Sequence, residues 1–530
     1  MPKMKYYLLT GKNYAIIPID SHKKKGSYPD RSGGGYCKKM VTLKNKHARA
    51  PLYEALERYS KTDIVHFDVP GHKKRLGAGL GEYFGERIIR LDANSTKELD
   101  MLSNPGGVIW EAEELLADAY CADYAFMLVN GSTFGIQTMI MSACGPKDKI
   151  LMPRNVHKSA VNAVILSGAV PVFIEPEINT EYGIANGISY EQVKKAIKDN
   201  PDTKALLLIN PTYFGVVSDI RLIIKLCHRH QIIVLVDEAH GAHFPFHPEF
   251  PDNASALGAD MATVSLHKTG GSLTQSSVLL LNEKLIDYSQ VRTTINLMQT
   301  TSASYLLMAS LDLARRNLCL YGKSRYDSIF AAVENAKKQL MGTPGLEILT
   351  RDDINGQGFY DYDETKIVVK VNELGLTGFQ VYDMLKAEYN IQLELAESYI
   401  ILAVVGIGDD ESTLQYLVKA LQDIAGRYAG TREPFRLKQA EQFEKPMTVV
   451  SPREAFFSPK RVVSLDDAVG EICAESIMIY PPGIPLAIPG EKLTQGIIDH
   501  YRFYREQNCV VMTNADDPDQ IHVLGEDPDN

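Results

Sequence analysis

With 530 residues, 45% hydrophobic and 23% charged, the chain has the size and proportions of a soluble globular protein. At roughly 150 residues per domain it should fold as about three to four units, which excludes a single small module and a disordered or fibrous polymer. The formal charge of −10 hides an asymmetry, because residues 1–49 carry twelve Lys/Arg against two acids and leave the remainder at −20; an acidic body argues against nucleic acid as the main partner and suits a cationic small molecule.

Seven cysteines are spread with no C-x-x-C pair, so they read as reduced, buried thiols and not as a zinc cluster. The longest charge-free apolar region, 159–174, is interrupted by Asn162, Ser167, Gly168 and Pro171 and is too short and polar to span a bilayer. After Lys3 and Lys5 the apolar run covers only 6–9, so no secretory segment is read there. The expected location is the cytoplasm, with no membrane partner.

In chain order, residues 1–48 read as a basic, flexible leader, with Lys23-Lys24-Lys25 and Gly33-Gly34-Gly35 but no periodicity. A solvated tail is preferred to a nucleic-acid-binding arm, and Met40 is an alternative start. Residues 49–305 form the large domain. Apolar runs at 125–129, 149–152, 170–174, 205–209, 232–236, 261–264 and 277–281 predict strands, with helices at 134–144, 190–198 and 222–230 between several of them. Continuous apolar strands alternating with helices predict a mostly parallel seven-stranded sheet covered on both faces, whose ligands lie at the carboxyl ends of the strands. Residues 306–430 predict a small α/β domain with helices at 305–320 and 327–340 and strands at 367–371 and 400–405. The charged stretch 427–445 reads as a connector, and 431–530 as a C-terminal domain with an acidic tail from 516.

Asn130-Gly-Ser-Thr-Phe-Gly135 follows a strand and opens a helix, offering free N–H groups, two hydroxyls and a positive dipole end to a phosphate; Ser and Thr are also ordinary helix caps. Asp237 ends the strand of Val234-Leu-Val-Asp-Glu-Ala-His240, where its carboxylate can keep a pyridinium nitrogen protonated. His240, His243 and His247 have the look of a metal set, but Pro245 and Pro248 break any helix that would align them, so no metal is expected. In Thr263-Val-Ser-Leu-His-Lys-Thr-Gly-Gly271 a strand ends in Ser265, His267 and Lys268. A partly desolvated amine there suits Schiff-base chemistry; the alternative is a surface lysine at a strand exit. Taken in order, with Arg154-Asn155-Val-His157-Lys158-Ser159 between them, these pieces follow the sequence in which fold-type I pyridoxal-phosphate enzymes present phosphate cup, ring-stacking residue, pyridinium partner and Schiff-base lysine.

The chain resembles the class I Orn/Lys/Arg decarboxylases of bacteria from about Pro51 onward. The likeness runs through Val69-Pro-Gly-His-Lys73, Pro153-Arg-Asn-Val-His-Lys-Ser159, Asn210-Pro-Thr-Tyr-Phe-Gly215, Asp237-Glu-Ala-His-Gly241, Ser265-Leu-His-Lys268, Ala474-Glu-Ser476 and Tyr480-Pro-Pro-Gly-Ile-Pro485. Its nearest likeness is to the shorter, biosynthetic arginine decarboxylases, since residues 1–50 are too short and basic to be the receiver-like wing of the longer ones.

The resemblance implies an α/β chain with a fold-type I large domain and smaller α/β C-terminal domains, pyridoxal 5′-phosphate as cofactor, and a homodimer or larger homo-oligomer. It implies that Lys268 carries the cofactor, that Asp237 pairs with its ring nitrogen, and that His157 and Ala239 flank the ring. Ser132, Thr133 and Ser265 would meet the phosphate, with Thr300 contributing from the neighbouring subunit. His240 belongs to the same cofactor set, His267 to proton transfer, and Glu475 to the distal end of a basic amino acid; a Glu capping a strand or turn is the alternative for Glu475. Arginine is the expected substrate, giving agmatine and carbon dioxide. Lysine, ornithine, a related aminotransferase or lyase, and a non-catalytic decarboxylase-like regulator stand as alternatives.

Overall fold

Seven short apolar runs become the strands of one sheet in the computed structural model, which describes residues 46–75, 79–356, 358–436, 446–480, 483–507 and 509–525. They are β1 (Tyr124–Leu128), β2 (Lys149–Pro153), β3 (Val170–Ile174), β4 (Thr203–Ile209), β5 (Ile233–Asp237), β6 (Met261–Val264) and β7 (Ser277–Leu281). Their order across the sheet is β1-β7-β6-β5-β4-β2-β3, and β7 alone runs against the other six.

Both faces are dry, which is why the strands read as unbroken apolar runs and not as alternating ones. Phe126, Leu128, Ile150, Leu207, Leu235 and Leu279 point into one apolar cluster, and their neighbours Met127, Leu151, Leu206, Val234, Val236 and Leu280 point into the other. Helices α1 (Gly131–Ala143) and α2 (Lys158–Ser167) cover the first face, with Ile136, Ile140, Val161 and Val164 buried against it. On the second, α3 (Ile220–Arg229) contributes Ile223 and Ile224.

The predicted pair of helices at 305–320 and 327–340 is one helix, α4 (Tyr305–Met341), of 37 residues. The expected break falls around Gly322, which instead serves packing. A Cβ there would stand 3.1 Å from Cβ of Phe246, so the missing side chain lets the Phe244–Phe246 turn lie against the helix. Residues along α4 belong to the same apolar cluster as the sheet face, and so do Ile367, Val369, Leu417 and Leu421 farther on. One continuous core therefore runs from the large sheet through α4 into the residues beyond it.

Beyond α4, strands β8 (Glu347–Ile348), β9 (Lys366–Lys370), β10 (Leu395–Ala396) and β11 (Ile400–Val404) form a four-stranded antiparallel sheet in the order β8-β9-β11-β10. The last part holds a three-stranded sheet and a two-stranded ribbon around its own core of Leu465, Cys473, Ile477, Ile498 and Tyr501. The leader through residue 45, most of the expected connector (437–445), and the end of the acidic tail (526–530) lie outside the described residues. No helix among the described residues is long and apolar enough to cross a membrane.

Candidate active site

Six strands running the same way deliver their carboxyl ends to one edge, so loops distant in sequence meet there. From β1 come Asn130, Ser132 and Thr133; from β2, Asn155 and His157; from β4, Thr212 and Tyr213; from β5, Asp237, Ala239 and His240; from β6, Ser265, His267 and Lys268. Because β7 runs the other way, it is the residues ahead of it, Thr274 and Gln275, that arrive at this edge. Glu394, from just before β10, and Ile484 complete the wall of a cavity of about 410 Å³.

The chemistry of the cavity follows from burial. The Lys268 amine lies 2.8 Å from Nε2 of His240 and 5.3 Å from the centre of the Tyr213 ring. Burial draws its pKa below the usual lysine value, against the pull of Asp237 and Glu394, so it loses its proton more readily than a surface lysine. Burial also holds His240 well below its usual value, with Lys268 adding to the effect, and its buried Nδ1 has no hydrogen-bond partner among the described residues. Asp237 is raised by burial, with Lys268 opposing, while one of its oxygens accepts from Ala239 N at 3.1 Å. His267 Nδ1 lies 2.8 Å from the Ser276 carbonyl, which fixes the ring proton on Nδ1 and leaves Nε2 basic.

His157 caps α2, its Nδ1 accepting from Ser159 N at 3.2 Å. Burial, then the charges of Lys268 and Lys158, draw its pKa down to about 4. A histidine whose pKa is depressed on folding contributes stability that is complete above the unfolded value near 6.5 and is lost as pH falls through the folded value. Between pH 7 and 5 the cofactor-free wild type should therefore lose about 2 kcal/mol more than His157→Asn, which keeps the cap but cannot titrate. Urea unfolding at the two pH values checks this, and equal losses would refute it.

The donor set fits pyridoxal 5′-phosphate. No side chain caps the start of α1, leaving its first N–H groups to the cavity beside Ser132 and Ser265, whose hydroxyls are 2.6 Å apart. That is a cradle for a phosphate dianion. Buried Asp237 calls for a cationic N–H such as a pyridinium, and Lys268 is the one lysine on the described wall.

Thr300, expected to contribute from the neighbouring subunit, is exposed, its hydroxyl accepting from Ser302 N at 3.1 Å. One residue expected in this chain's own site is not brought to the cavity. Glu475 is buried in the C-terminal core, where its carboxylate accepts from the backbone N–H of His522 at 2.6 Å and from that of Asn514. Its lone pairs are thus spent on fastening two segments of its own domain. Glu475→Gln should lower stability by about 2 kcal/mol, the worth of a charged hydrogen bond to backbone, with substrate KM unchanged. A raised KM at unaltered melting temperature would return Glu475 to substrate recognition.

The three histidines at 240, 243 and 247 diverge, to Lys268, to Asp363 and Thr269, and to Asp327. Thr212, Tyr213 and Glu394 are site residues that motif reasoning misses. The first two sit in Asn210-Pro-Thr-Tyr-Phe-Gly215 directly after a strand, which is a usable signal; Glu394 carries no local signal.

This sheet, with its lysine, aspartate and phosphate cradle at the carboxyl edge, is that of a fold-type I pyridoxal-phosphate enzyme. Residues 50–413 match the family described as Orn/Lys/Arg decarboxylase, major domain, and residues 436–509 match its C-terminal domain. The chain belongs to the Orn/Lys/Arg decarboxylase family, and is a pyridoxal-phosphate-dependent decarboxylase. It is 43% identical over 459 residues to an arginine decarboxylase of Bacillus anthracis, covering 85% of this chain and 92% of that protein. To an arginine decarboxylase of Bacillus subtilis it is 42% identical, covering 89% and 97%. Among solved structures, the lysine decarboxylase of Francisella novicida superposes with a TM-score of 0.77 at 21% identity, covering 90% of this chain and 81% of that one, which attests the fold.

Proposed function

We propose that this chain converts L-arginine to agmatine and carbon dioxide, feeding polyamine synthesis. The observation that carries the reading is the identity of 42–43% with arginine decarboxylases along most of both chains. The cavity supports it: besides Asp237, Glu394 is the one carboxylate on its described wall. A carboxylate on the wall can take two parallel N–H bonds from a planar guanidinium but only a point contact from an ammonium.

The bound cofactor supplies an electron sink for the pair left behind when the α-carboxylate departs as carbon dioxide. Ser132, Thr133, Ser265 and the first N–H groups of α1 would hold its phosphate. Asp237 would keep a proton on the ring nitrogen, and His157 and Ala239 would contact the ring. The Lys268 amine, held by His240, would carry the cofactor and be released from it as the substrate's amine takes its place. His267 Nε2 and Lys268 Nζ are the sites that hold a proton for return to the α-carbon. Apolar Ile209 and Ile484 help exclude water from the reacting bond.

Exposed apolar side chains are concentrated in one segment, with Val65, Phe67, Tyr83 and Phe84 each more than 60% exposed. In water such a surface favours association, which supports a homodimer or larger homo-oligomer. None of the six described cysteines forms a disulfide, in keeping with a reducing cytoplasm.

The test is an amine-product assay on an equimolar mixture of arginine, lysine and ornithine. Agmatine should dominate, and Glu394→Gln should cut arginine kcat/KM by about thirtyfold or more, or ~2 kcal/mol, at unchanged cofactor absorbance. Cadaverine or putrescine as the main product would overturn the substrate reading, and unaltered arginine kinetics in Glu394→Gln would move recognition elsewhere.

A further inference from the structure

Behind the cavity lies a buried polar chain that the reaction as outlined does not use. His243 is fully buried, with Nδ1 2.9 Å from Oγ1 of Thr269 and Nε2 3.0 Å from Oδ2 of Asp363. Thr269 follows Lys268 directly and ends the short helix Leu266–Thr269. Its carbonyl accepts from Oη of Tyr326 at 3.2 Å, so both side chain and backbone of this residue are held.

Asp363 is a hub. Its Oδ2 also accepts from Nζ of Lys366 at 2.7 Å, and its Oδ1 accepts from N and Oγ1 of Thr365 at 3.0 and 2.6 Å. Burial opposes its charge, but the Lys366 ammonium and then His243 hold the carboxyl far below the usual carboxylate range. An ionised carboxylate only accepts, so His243 must carry its proton on Nε2 and donate it to Asp363. Nδ1 is then an acceptor, and the Thr269 hydroxyl must donate to it. Burial keeps His243 itself below its usual value, which leaves the imidazole neutral as this arrangement requires. The other charged or titratable groups around the chain are Lys366, Tyr326, His240 and Lys268, with Lys337 and Tyr362 also near Asp363.

We infer that His243, oriented by Asp363, is a positioning residue for Lys268 and acts through Thr269. The inference rests on the reading of Lys268 as the cofactor-bearing amine. Lysine has four rotatable side-chain bonds, so the place its amine can reach depends on how firmly its backbone is anchored. One short segment supplies both anchors: His240 meets the amine at 2.8 Å, and His243 fastens the next residue along. The same hub fastens the backbone next to the cavity wall, because Asp363 N donates at 2.9 Å to the carbonyl of Gly215, the residue after the lining Phe214. Gly215 has φ of +89°, and a Cβ there would stand 2.8 Å from Cγ of Lys366. A buried hydrogen bond between His243 and Asp363 is not needed simply to hold two distant segments together, since apolar side chains of similar shape do so nearly as well or better. Apolar groups could not accept the Thr269 hydroxyl.

The test uses Thr269→Val, which keeps shape and loses the hydroxyl; Thr269→Ser, which restores it; and His243→Phe, which keeps a ring. In cofactor-loaded protein, Thr269→Val and His243→Phe should each lower kcat about tenfold with KM within about twofold, and the double variant should be no slower than the worse single, because both break one path. The pH midpoint of the cofactor's visible absorbance, which needs no substrate, should move by about half a unit or more in both, while Thr269→Ser stays near wild type. Wild-type kcat and midpoint in Thr269→Val, a melting-temperature loss without a midpoint shift, or multiplying losses in the double variant would each overturn the inference. Should His243→Phe fail to fold, the two Thr269 variants decide alone. The kinetics are read on whichever amino acid the wild type decarboxylates, so an error in the choice of arginine leaves this test standing.

Discussion

Lys268→Ala should abolish the absorbance band of the lysine-linked cofactor and reduce turnover at least a thousandfold, about 4 kcal/mol of barrier. The expectation follows from placement. Lys268 is the one lysine on the described cavity wall, and burial lowers its pKa so that the free amine is accessible. Alanine leaves His240 Nε2 without its partner and leaves no nucleophile for the substrate's amine to displace. The phosphate cradle of Ser132, Ser265 and α1 is untouched, so cofactor should still bind, though weaker and without the lysine linkage. Spectra and single-turnover carbon dioxide release measured on the same sample check both halves. Turnover near the wild-type rate would remove Lys268 from the mechanism.

Asp237→Asn should keep the cofactor and lose activity by about two to three orders of magnitude, roughly 3 to 4 kcal/mol. Its carboxylate is buried at the end of β5, with Ala239 N occupying one oxygen. A neutral amide of the same shape preserves the packing but cannot stabilise a protonated ring nitrogen, so the electron demand of the ring falls while its anchoring does not. Cofactor content by absorbance after denaturation, set against kcat, separates the two effects. Near-normal kcat at full occupancy would mean that another acid performs this role, and loss of cofactor with loss of activity would make Asp237 an anchor.

Both predictions concern residues that are legible in the amino-acid sequence. Each strand of the large sheet is a run of consecutive apolar residues, a local signal, and the functional groups sit directly after those runs. Parallel strands end at one edge, so Ser132, His157, Asp237, Ser265 and Lys268 must converge once the runs form one sheet. Glycine is the weaker guide. Gly322 lies in the gap between the two expected helices, yet it serves as a contact point inside α4.

Other features depend on how distant elements pack. Glu394 and Glu475 are both acids near short strands in the carboxyl-terminal half, and the local motif singles out Glu475 rather than Glu394. Packing places Glu394 on the cavity wall and turns Glu475 inward onto the backbone of His522, 47 residues away. His243 and Asp363 are 120 residues apart, and their pairing depends on how the turn ahead of β9 docks against the loop after β5. Hydrophobic period and strand-end chemistry act over a few residues, so local sequence is enough to specify the sheet, its cofactor edge and the lysine. Which distant polar groups meet is set by the free energy of packing whole elements together, and that emerges only in the folded chain.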